Sequence, residues 1–293
     1  MIVCTKGSPT LSKCLDSLEN QKYKNYEVIV VSFKKSVGNL VSNYKNSKFI
    51  LSEKANLSAQ RNIGIENSAG EIIAFIDDDA IADVKWLFEL ERCYKKNIVC
   101  VGGRLEPEFV NDVPDQLKKL PDDIFRGIVG LTFVDYENTK TLTEPQIWGC
   151  NMSFSKKVFE KIDKFDENLG RGLRNVVSED DIDIQERILE SKMKIVYNPK
   201  ALVRHIINRE KLSATYFIRR SFWQGYSEIV RYSKHKNFQM LTNKKNTPLI
   251  ASIVRKKMNE LLFEMIGEPN LKYNIDTARK LGRLVTYLSM LEN

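Results

Sequence analysis

The chain has 293 residues, of which 42% are apolar and 29% are charged. These proportions are ordinary for a globular protein, and the length favours one large domain or a domain with an appendage. The formal charge of +8 is uneven, because residues 201–293 hold 17 Lys and Arg against 7 Asp and Glu. The basic C-terminal third favours an anionic partner, such as a membrane surface or a nucleic acid.

The cysteine pattern and the hydropathy of the chain argue against several classes of protein. The cysteines are odd in number and form no CxxC pair; they are Cys4, Cys14, Cys93, Cys100 and Cys150. This pattern argues for a reducing compartment and against a disulfide or zinc framework. The sequence shows neither a signal peptide nor a run of 18 apolar residues. We therefore predict a cytoplasmic protein, with the inner face of the cell membrane as a possible peripheral location.

The first hundred residues alternate between predicted strands and helices. Strands are predicted over Met1–Cys4, Val28–Val31, Lys48–Leu51, Ile72–Ile76 and Ile98–Gly102. Helices are predicted from Ser8 or Thr10 to about Gln21, over Leu57–Asn67 and over Val84–Lys95. The spacing is that of βαβ units, so we predict an α/β fold with a mostly parallel, doubly wound sheet and flanking helices.

The alternation stops after Arg104, where Leu105–Pro145 carries four prolines and no clean period. A loop of this length inside a compact domain is usually functional or mobile. Regular elements are predicted again over Ile147–Phe154, Lys156–Ile162, a helix that opens at Ser178–Asp180, Lys194–Tyr197 and Ala201–His205.

From Leu212 to the end the pattern is helical, with three apolar stripes and basic residues around them. We therefore predict two domains, an α/β domain over residues 1–208 and a basic helical extension over residues 209–293. The sequence leaves the role of the extension open. Its helices could pack on the first domain, form an oligomer, or contact a membrane surface through residues 212–266.

Three carboxylates, Asp77, Asp78 and Asp79, directly follow the apolar run Ile72–Ile76. That run predicts a strand buried on both faces of a sheet. Open α/β sheets bind ligands at the carboxyl ends of their strands, which is where these three carboxylates would lie. The repulsion among adjacent carboxylates is offset most simply by a divalent cation, Mg²⁺ or Mn²⁺. The alternative is a solvated acidic turn that caps the next helix.

Further polar residues stand at other element ends: Phe165–Glu167, Glu179–Asp183 and His205. If the sheet brings these residues together, the site holds a metal clamp and a separate carboxylate. A metal stabilises a departing diphosphate and a carboxylate accepts the proton of an incoming hydroxyl, which together can displace a nucleotide from a sugar. Taken singly, the acids could be favourable first-turn residues and His205 a structural histidine.

In this order and spacing the motifs resemble those of inverting family 2 glycosyltransferases, which have the GT-A fold. The resemblance covers most of residues 2–205. It is carried by NLSAQRNIGIENSAGEIIAFIDDDA, VGGRLEP, WGCNMSF, FDENLGRG and SEDDIDIQERILESKMKIVYNPKALVRH. It implies a GT-A catalytic domain over residues 1–208 with an α-helical C-terminal appendage.

The resemblance also implies roles for individual residues. Asp77 and Asp79 match the DxD signature, so that Asp79 would bind the metal, with Asp77 and His205 as further ligands. Asp180 matches the usual catalytic base, and Glu179 would bind the acceptor or orient that base. The residues that would contact the nucleotide sugar are Thr5, Ser32, Arg61, Asn62, Asp77, Asp78, Trp148, Gly149 and Asn151.

The implied activity is that of a metal-dependent inverting glycosyltransferase of the hexosyltransferase type. It would move a sugar from a nucleoside diphosphate sugar, expected to be a UDP-sugar, to a hydroxyl of a saccharide or polyprenyl-linked saccharide. The implied context is the assembly of a glycan, polysaccharide or glycoprotein glycan. Mn²⁺ or Mg²⁺ would be the cofactor, and Leu105–Pro145 would close over the acceptor.

Two other functions stay open at this point. A metal-dependent nucleotidyltransferase also uses paired acids on an α/β sheet, but Thr5–Pro9 has no repeated glycine-rich phosphate loop. A non-enzymatic module could bind anions or nucleic acid through the basic tail. That module would leave Asp77–Asp79 and Glu179–Asp183 unexplained, and we expect no specific nucleic-acid partner.

Overall fold

The computed structural model describes residues 1–95, 97–132, 136–173, 176–233, 247–265 and 269–292. Lys234 and His235 of the basic tail lie outside the described residues. The strands are β1 (Ile2–Thr5), β2 (Val28–Ser32), β3 (Ser47–Leu51), β4 (Ile72–Asp77), β5 (Ala80–Ala82), β6 (Ile98–Phe109), β7 (Lys140–Leu142), β8 (Asn151–Ser155) and β9 (Lys194–Ile207). The helices are α1 (Leu11–Glu19), α2 (Val37–Val41), α3 (Leu57–Glu66), α4 (Trp86–Glu91), α5 (Asp115–Lys118), α6 (Asp122–Val129), α7 (Asp180–Glu190), α8 (Ala214–Tyr232), α9 (Thr247–Met265) and α10 (Leu271–Glu292).

Within the described residues the strands form one sheet in the order β3-β2-β1-β4-β8-β6-β9-β5, and β7 pairs with β9. The strands β3, β2, β1 and β4 are parallel to one another, as are β6 and β9. Strand β8 is antiparallel to both of its neighbours, and β5 and β7 are antiparallel to β9. The predicted α/β sheet is confirmed, and it is parallel over its first four strands and mixed beyond β4.

The apolar runs that predict buried strands divide their side chains between two cores. In β2, Val28 and Val30 belong to one buried cluster, whereas Ile29 and Val31 belong to the other. Because side chains alternate across a strand, a run of four apolar residues is what a sheet covered on both faces requires. Helix α1 covers one face and helix α7 the other.

The segment Leu105–Pro145 contains more regular structure than its sequence predicts. Strand β6 continues to Phe109, and Leu105–Phe109 pairs with Val203–Ile207 of β9. Helices α5 and α6 follow, each directly preceded by a proline, Pro114 and Pro121. A proline at a helix start lacks only an N–H that would have no helical partner, so these prolines begin helices. The prediction of one long loop is therefore wrong over these elements.

The C-terminal helical appendage is confirmed, and α8 and α10 cross in close contact. A Cβ atom added to Gly225 would lie 1.9 Å from the carbonyl oxygen of Arg279, and one added to Gly282 would lie 1.9 Å from that of Phe222. The buried carboxylate of Glu228 on α8 accepts hydrogen bonds from Arg279 and Arg283 on α10. The two backbones approach this closely because glycine occupies both crossing positions.

We expect Gly225→Ala to lower the free energy of unfolding by about 1–3 kcal/mol, because its methyl group meets backbone that cannot move aside. Gly127→Ala on α6 is the matched control, since its Cβ would find no atom of the described residues within 4 Å. That control should be neutral or slightly stabilising. Urea unfolding measures both variants, and equal midpoints would contradict the close crossing.

Helix α9 exposes several large apolar side chains, with Ile253 59% exposed, Leu262 48% and Phe263 80%. Across the described ranges, no helix is both long enough and apolar enough to cross a bilayer. Contact of residues 212–266 with a membrane surface stays a prediction.

Candidate active site

The acidic triplet lies where β4 ends at the carboxyl edge of the sheet. The hydroxyl of Thr5 donates to the Asp78 carboxylate, and Thr10 donates to the Asp78 backbone oxygen at 2.9 Å. Burial is the largest cause that raises the pKa of Asp78 to about 6; the charges of Asp79 and Asp77 also raise it, and the hydrogen bond from Thr5 lowers it. Asp78 is therefore held against β1, whereas Asp77 and Asp79 line a cavity on the other side.

Asp79 lies between two nitrogen-bearing side chains. Its Oδ1 is 3.2 Å from His205 Nε2 and its Oδ2 is 2.7 Å from Lys211 Nζ. These residues meet because β5 pairs with β9, with Ala80 opposite His205. Burial would raise the pKa of Asp79, but His205 and Lys211 hold it below its usual value. The sheet thus brings the predicted metal ligand and the predicted histidine together.

Lys211 is a member of this site that the sequence does not predict. It lies in a short 3-10 turn after β9, and its Nζ is 3.1 Å from His205 Nε2 as well as 2.7 Å from Asp79. Burial would lower the pKa of Lys211, but the Asp79 carboxylate raises it above its usual value. The ammonium group thus supplies the positive charge that the acidic triplet was expected to need.

Asp79 and His205 fit one side of a divalent metal site. The oxygen and nitrogen atoms face one another, and His205 Nδ1 is buried without a hydrogen-bond partner among the described residues. No cluster of three metal-ligating side chains occurs in the described part of the chain. Mg²⁺ is commonly held by one or two carboxylates together with substrate phosphates, so two protein ligands are enough. Lys211 must move for a metal to bind here.

The second acidic group begins α7 and is tied to α3. Arg61 Nη1 lies 2.5 Å from Asp180 Oδ2, and Ser58 Oγ donates to the same oxygen at 2.9 Å. Arg61 is buried, and a Cβ on Gly149 would lie 2.4 Å from its Nη2. Gly149 therefore leaves room for the guanidinium group, and Asp180 is fixed in a buried ion pair.

Asp181, next in the chain, has a different environment. Its Oδ2 accepts a hydrogen bond from the backbone N–H of Gly149 at 2.8 Å, and it lines the cavity. Burial raises the pKa of Asp181, and the charge of Asp180 raises it further. Asp181 is the acid of this pair that faces the cavity without a directly bonded cation among the described residues.

Glu179 is bound by the C-terminal appendage. Its Oε2 accepts from Arg231 Nε at 2.7 Å and its Oε1 accepts from the Gln224 amide, and both partners lie on α8. Its backbone is left-handed, with φ of 80°, directly before α7. Arg231 also bonds Glu186, so α8 holds the start of α7 through two carboxylates.

We expect Arg231→Met to lower the free energy of unfolding by about 3–5 kcal/mol, because Glu179 is left as a buried charge without its cation. Arg219→Met on the same helix is the control, since Arg219 is exposed and its loss should change stability by less than about 0.5 kcal/mol. Urea unfolding at pH 7 compares the two. Similar losses in both variants would show that the Arg231 contact does not hold the appendage.

Several residues that the resemblance singles out make structural contacts instead. Asn62 bonds the backbone N–H and carbonyl of Phe165, and Asn151 is fully buried with bonds to Trp86 and two backbone oxygens. Ser32 is fully buried at the end of β2, where its hydroxyl accepts from the Lys34 N–H. We therefore leave Asn62 and Asn151 out of the proposed site.

A cavity of about 460 Å³ joins the two acidic groups. Asp77, Asp79 and His205 line one part of it, and Asp180 and Asp181 line another. Trp148 and Gly149 also line it, together with residues of α6, α8 and α10. The helical appendage therefore forms part of the cavity, which the predicted two-domain division does not anticipate.

The model of the family described as "Glycosyl transferase family 2" matches residues 1–163. The chain belongs to glycosyl transferase family 2. The match gives no support to a nucleotidyltransferase or to a non-enzymatic binding module. A glycosyltransferase activity agrees with the acidic cavity at the carboxyl edge of the sheet.

The chain is similar to two glycosyltransferases of one organism. It is 27% identical over 249 residues to the glucosyl-dolichyl phosphate glucuronosyltransferase of Haloferax volcanii, covering 78% of this chain and 76% of that protein. It is 31% identical over 111 residues to the glycosyltransferase AglE of the same organism, which is 34% of this chain and 36% of that one.

Two solved structures share the fold. The mannosyltransferase PcManGT from Pyrobaculum calidifontis, in complex with GDP-Man and Mn²⁺, has a TM-score of 0.60 at 15% identity, covering 98% of this chain and 86% of that one. GalNAc-T7 with UDP, GalNAc and Mn²⁺ has a TM-score of 0.55 at 15% identity, covering 78% of this chain and 49% of that one. At these identities the likeness shows the GT-A fold alone.

Proposed function

We propose that the chain transfers a sugar from a nucleoside diphosphate sugar to a hydroxyl of a saccharide or lipid-linked saccharide, with inversion at the anomeric carbon. The observation that carries this proposal is the single cavity that Asp79 and His205 share with Asp180 and Asp181. A cation-binding wall suits a departing diphosphate, and a carboxylate on another wall suits an incoming hydroxyl. A single in-line displacement between those walls inverts the sugar.

The donor would lie at the carboxyl ends of β1, β2 and β4. Asp77 is half-buried there, opposite Cys4 of β1, and offers carboxylate oxygens to ribose hydroxyls. Thr5, one residue further along β1, pairs with Ser32 of β2. A divalent cation held by Asp79 and His205, Mn²⁺ or Mg²⁺, would offset the charge that develops on the diphosphate. Both solved neighbours were determined with Mn²⁺, which supports this cofactor. Lys211, when displaced from Asp79, offers its ammonium group to the same phosphates.

Asp181 suits the role of general base better than Asp180. The Oδ2 atom of Asp180 is held in a buried ion pair with Arg61 and also accepts a hydrogen bond from Ser58. Asp181 has a raised pKa and lines the cavity, which are the properties of a base that must accept a proton. We therefore propose Asp181 as the base, in place of the Asp180 that the resemblance implies. Asp180 and Arg61 would position it.

A lipid-linked acceptor is supported by two observations. The name of the Haloferax volcanii relative includes a dolichyl phosphate sugar, which is a lipid-linked saccharide. Helix α9 exposes Ile253, Leu262 and Phe263 beside basic residues, as a peripheral membrane helix does. We propose that the protein works at a membrane surface.

A thermal-shift titration tests the donor site. UDP, GDP, CDP and TDP are each added with Mn²⁺, with Mg²⁺ or with a chelator, because a ligand that binds only the folded protein raises the melting midpoint. We expect one nucleoside diphosphate to raise the midpoint only with metal, and Asp79→Asn to abolish the rise. No rise with any of the four nucleotides would contradict the donor site.

A further inference from the structure

Two arginines, Arg171 and Arg220, line the cavity and form no ion pair among the described residues. We call them the arginine pair. Arg220, on α8, points both of its terminal nitrogens at the hydroxyl of Ser178, each at 3.3 Å. Arg171 is exposed and lies in the turn after Leu169. Both residues line the same cavity as Asp181.

Several positive charges lie close together around the arginine pair. Burial and the positive charge of Arg171 together lower the pKa of Arg220 to about 10, although Asp181 and Glu179 act in the opposite direction. Lys6, whose ammonium donates to the Gly172 carbonyl at 3.0 Å, adds a third positive charge beside Arg171. Cations crowded in this way against a cavity favour an anion between them.

Two of the three nearby carboxylates are bound to other partners. Glu179 accepts from Arg231 and Gln224, and Asp180 accepts from Arg61 and Ser58. Asp181 attracts both arginines electrostatically, but its carboxylate bonds backbone N–H groups and forms no ion pair with either arginine among the described residues. The donors of two guanidinium groups thus remain available for an anion that enters the cavity.

The cavity wall near the arginine pair is partly apolar. Ile124 and Ile128 of α6 and Ile275 of α10 line it, together with the ring of Tyr216. A ligand that fits this wall carries an anionic group beside a hydrocarbon chain or another apolar group. Planar guanidinium groups match the oxygens of a phosphate, which they bind through paired hydrogen bonds.

We propose that Arg171 and Arg220 bind a phosphate group of the acceptor, so that the acceptor is a saccharide linked to a prenyl phosphate. The inference rests on the proposed transfer function and names the charged group that its acceptor carries. The acceptor phosphate binds on the Ser178 side of Asp181, away from Asp79 and His205. The sugar hydroxyl that attacks the donor is then directed toward Asp181.

Isothermal titration calorimetry with farnesyl phosphate tests the arginine pair, with farnesol and inorganic phosphate as comparison ligands. We expect Arg171→Met and Arg220→Met each to weaken farnesyl phosphate binding about tenfold or more, because each removes charge-assisted hydrogen bonds. Arg220→Lys should give an intermediate loss, since it keeps the charge without the planar fork. Arg219→Met, an exposed neighbour on the same helix, should bind like the wild type.

Three outcomes would overturn the inference. The first is farnesol binding as tightly as farnesyl phosphate, which would mean that the cavity selects only the chain. The second is inorganic phosphate binding as tightly, which would mean that no linked apolar group is recognised. The third is unchanged farnesyl phosphate binding in variants whose melting midpoints match the wild type.

The metal-dependent shift with a nucleoside diphosphate is measured on the same variants. We expect that shift to survive in Arg220→Met, because the donor phosphates bind near Asp79. Loss of the shift in that variant would assign the arginine pair to the donor and overturn the inference. Absence of the shift in the wild type would instead contradict the proposed function.

Discussion

Replacing Asp181 by asparagine is expected to lower the rate of sugar transfer by about 10²- to 10⁴-fold while leaving donor binding unchanged. Asparagine keeps the shape of the side chain and can still accept the hydrogen bond from Gly149, which is 2.8 Å long. It cannot take up the proton of the attacking hydroxyl. Steady-state kinetics give the rate, and the thermal shift with nucleoside diphosphate and metal shows whether the donor site is intact.

The comparison variant is Asp180→Asn, because the two acids are adjacent and differ in their partners. Removing the Asp180 charge leaves Arg61 buried without the closer of its two carboxylates, since Asp77 lies 3.9 Å away. We expect this variant to lose about 3–5 kcal/mol of stability. If instead Asp180→Asn abolishes transfer at unchanged stability while Asp181→Asn stays active, then Asp180 is the base.

The pH dependence of kcat/KM gives a further check on Asp181. A general base works only when it is deprotonated, so activity should fall as the pH drops through its pKa. Because burial raises that pKa, the acidic limb should lie above the ordinary range of an aspartate. An acidic limb at or below the ordinary pKa range of an aspartate would contradict the assignment of Asp181 as the general base.

Replacing Lys211 by methionine is expected to tighten the binding of Mn²⁺ in the absence of nucleotide by about tenfold or more. The Lys211 ammonium bonds Asp79 Oδ2 and approaches His205 Nε2, so a metal that binds these atoms must displace it. Removing a competing charge-assisted hydrogen bond of about 1.5–3 kcal/mol should appear as increased metal affinity. Electron paramagnetic resonance of free Mn²⁺ measures that affinity without relying on activity.

Two variants make the Lys211 test specific. Arg209→Met removes an exposed cation from the same turn and should leave Mn²⁺ affinity near that of the wild type. Adding Asp79→Asn to Lys211→Met should abolish the gain, because the freed carboxylate is then absent. Unchanged affinity in Lys211→Met would mean that the ammonium does not compete with the metal.

The fold follows from local patterns that the sequence displays. Four-residue apolar runs such as Val28–Val31 predict strands covered on both faces, and the two buried clusters divide their side chains in that way. The acids after β4 follow from the same pattern, since a strand end fixes their place at the sheet edge. His205 reaches Asp79 through the pairing of β5 with β9, although β5 is only three residues long and was not predicted.

The partners of the acids depend on contacts between distant parts of the chain. Lys211 meets Asp79 across 132 positions and Arg231 meets Glu179 across 52, and no local period marks such pairs. Asp180 and Asp181 look alike in the sequence, and the buried Arg61 distinguishes them. The basic C-terminal third predicted an anionic partner, but its Arg231 binds carboxylates of the catalytic domain itself.

The most direct test of the proposed sugar transfer is to identify the product of the reaction by NMR. The protein is supplied with a panel of UDP-, GDP- and TDP-sugars, Mn²⁺ and a prenyl phosphate-linked saccharide. We expect one sugar nucleotide to be consumed, its nucleoside diphosphate to be released, and the sugar in the product to have the opposite anomeric configuration. Retention of configuration, release of pyrophosphate, or full turnover by Asp181→Asn would contradict it.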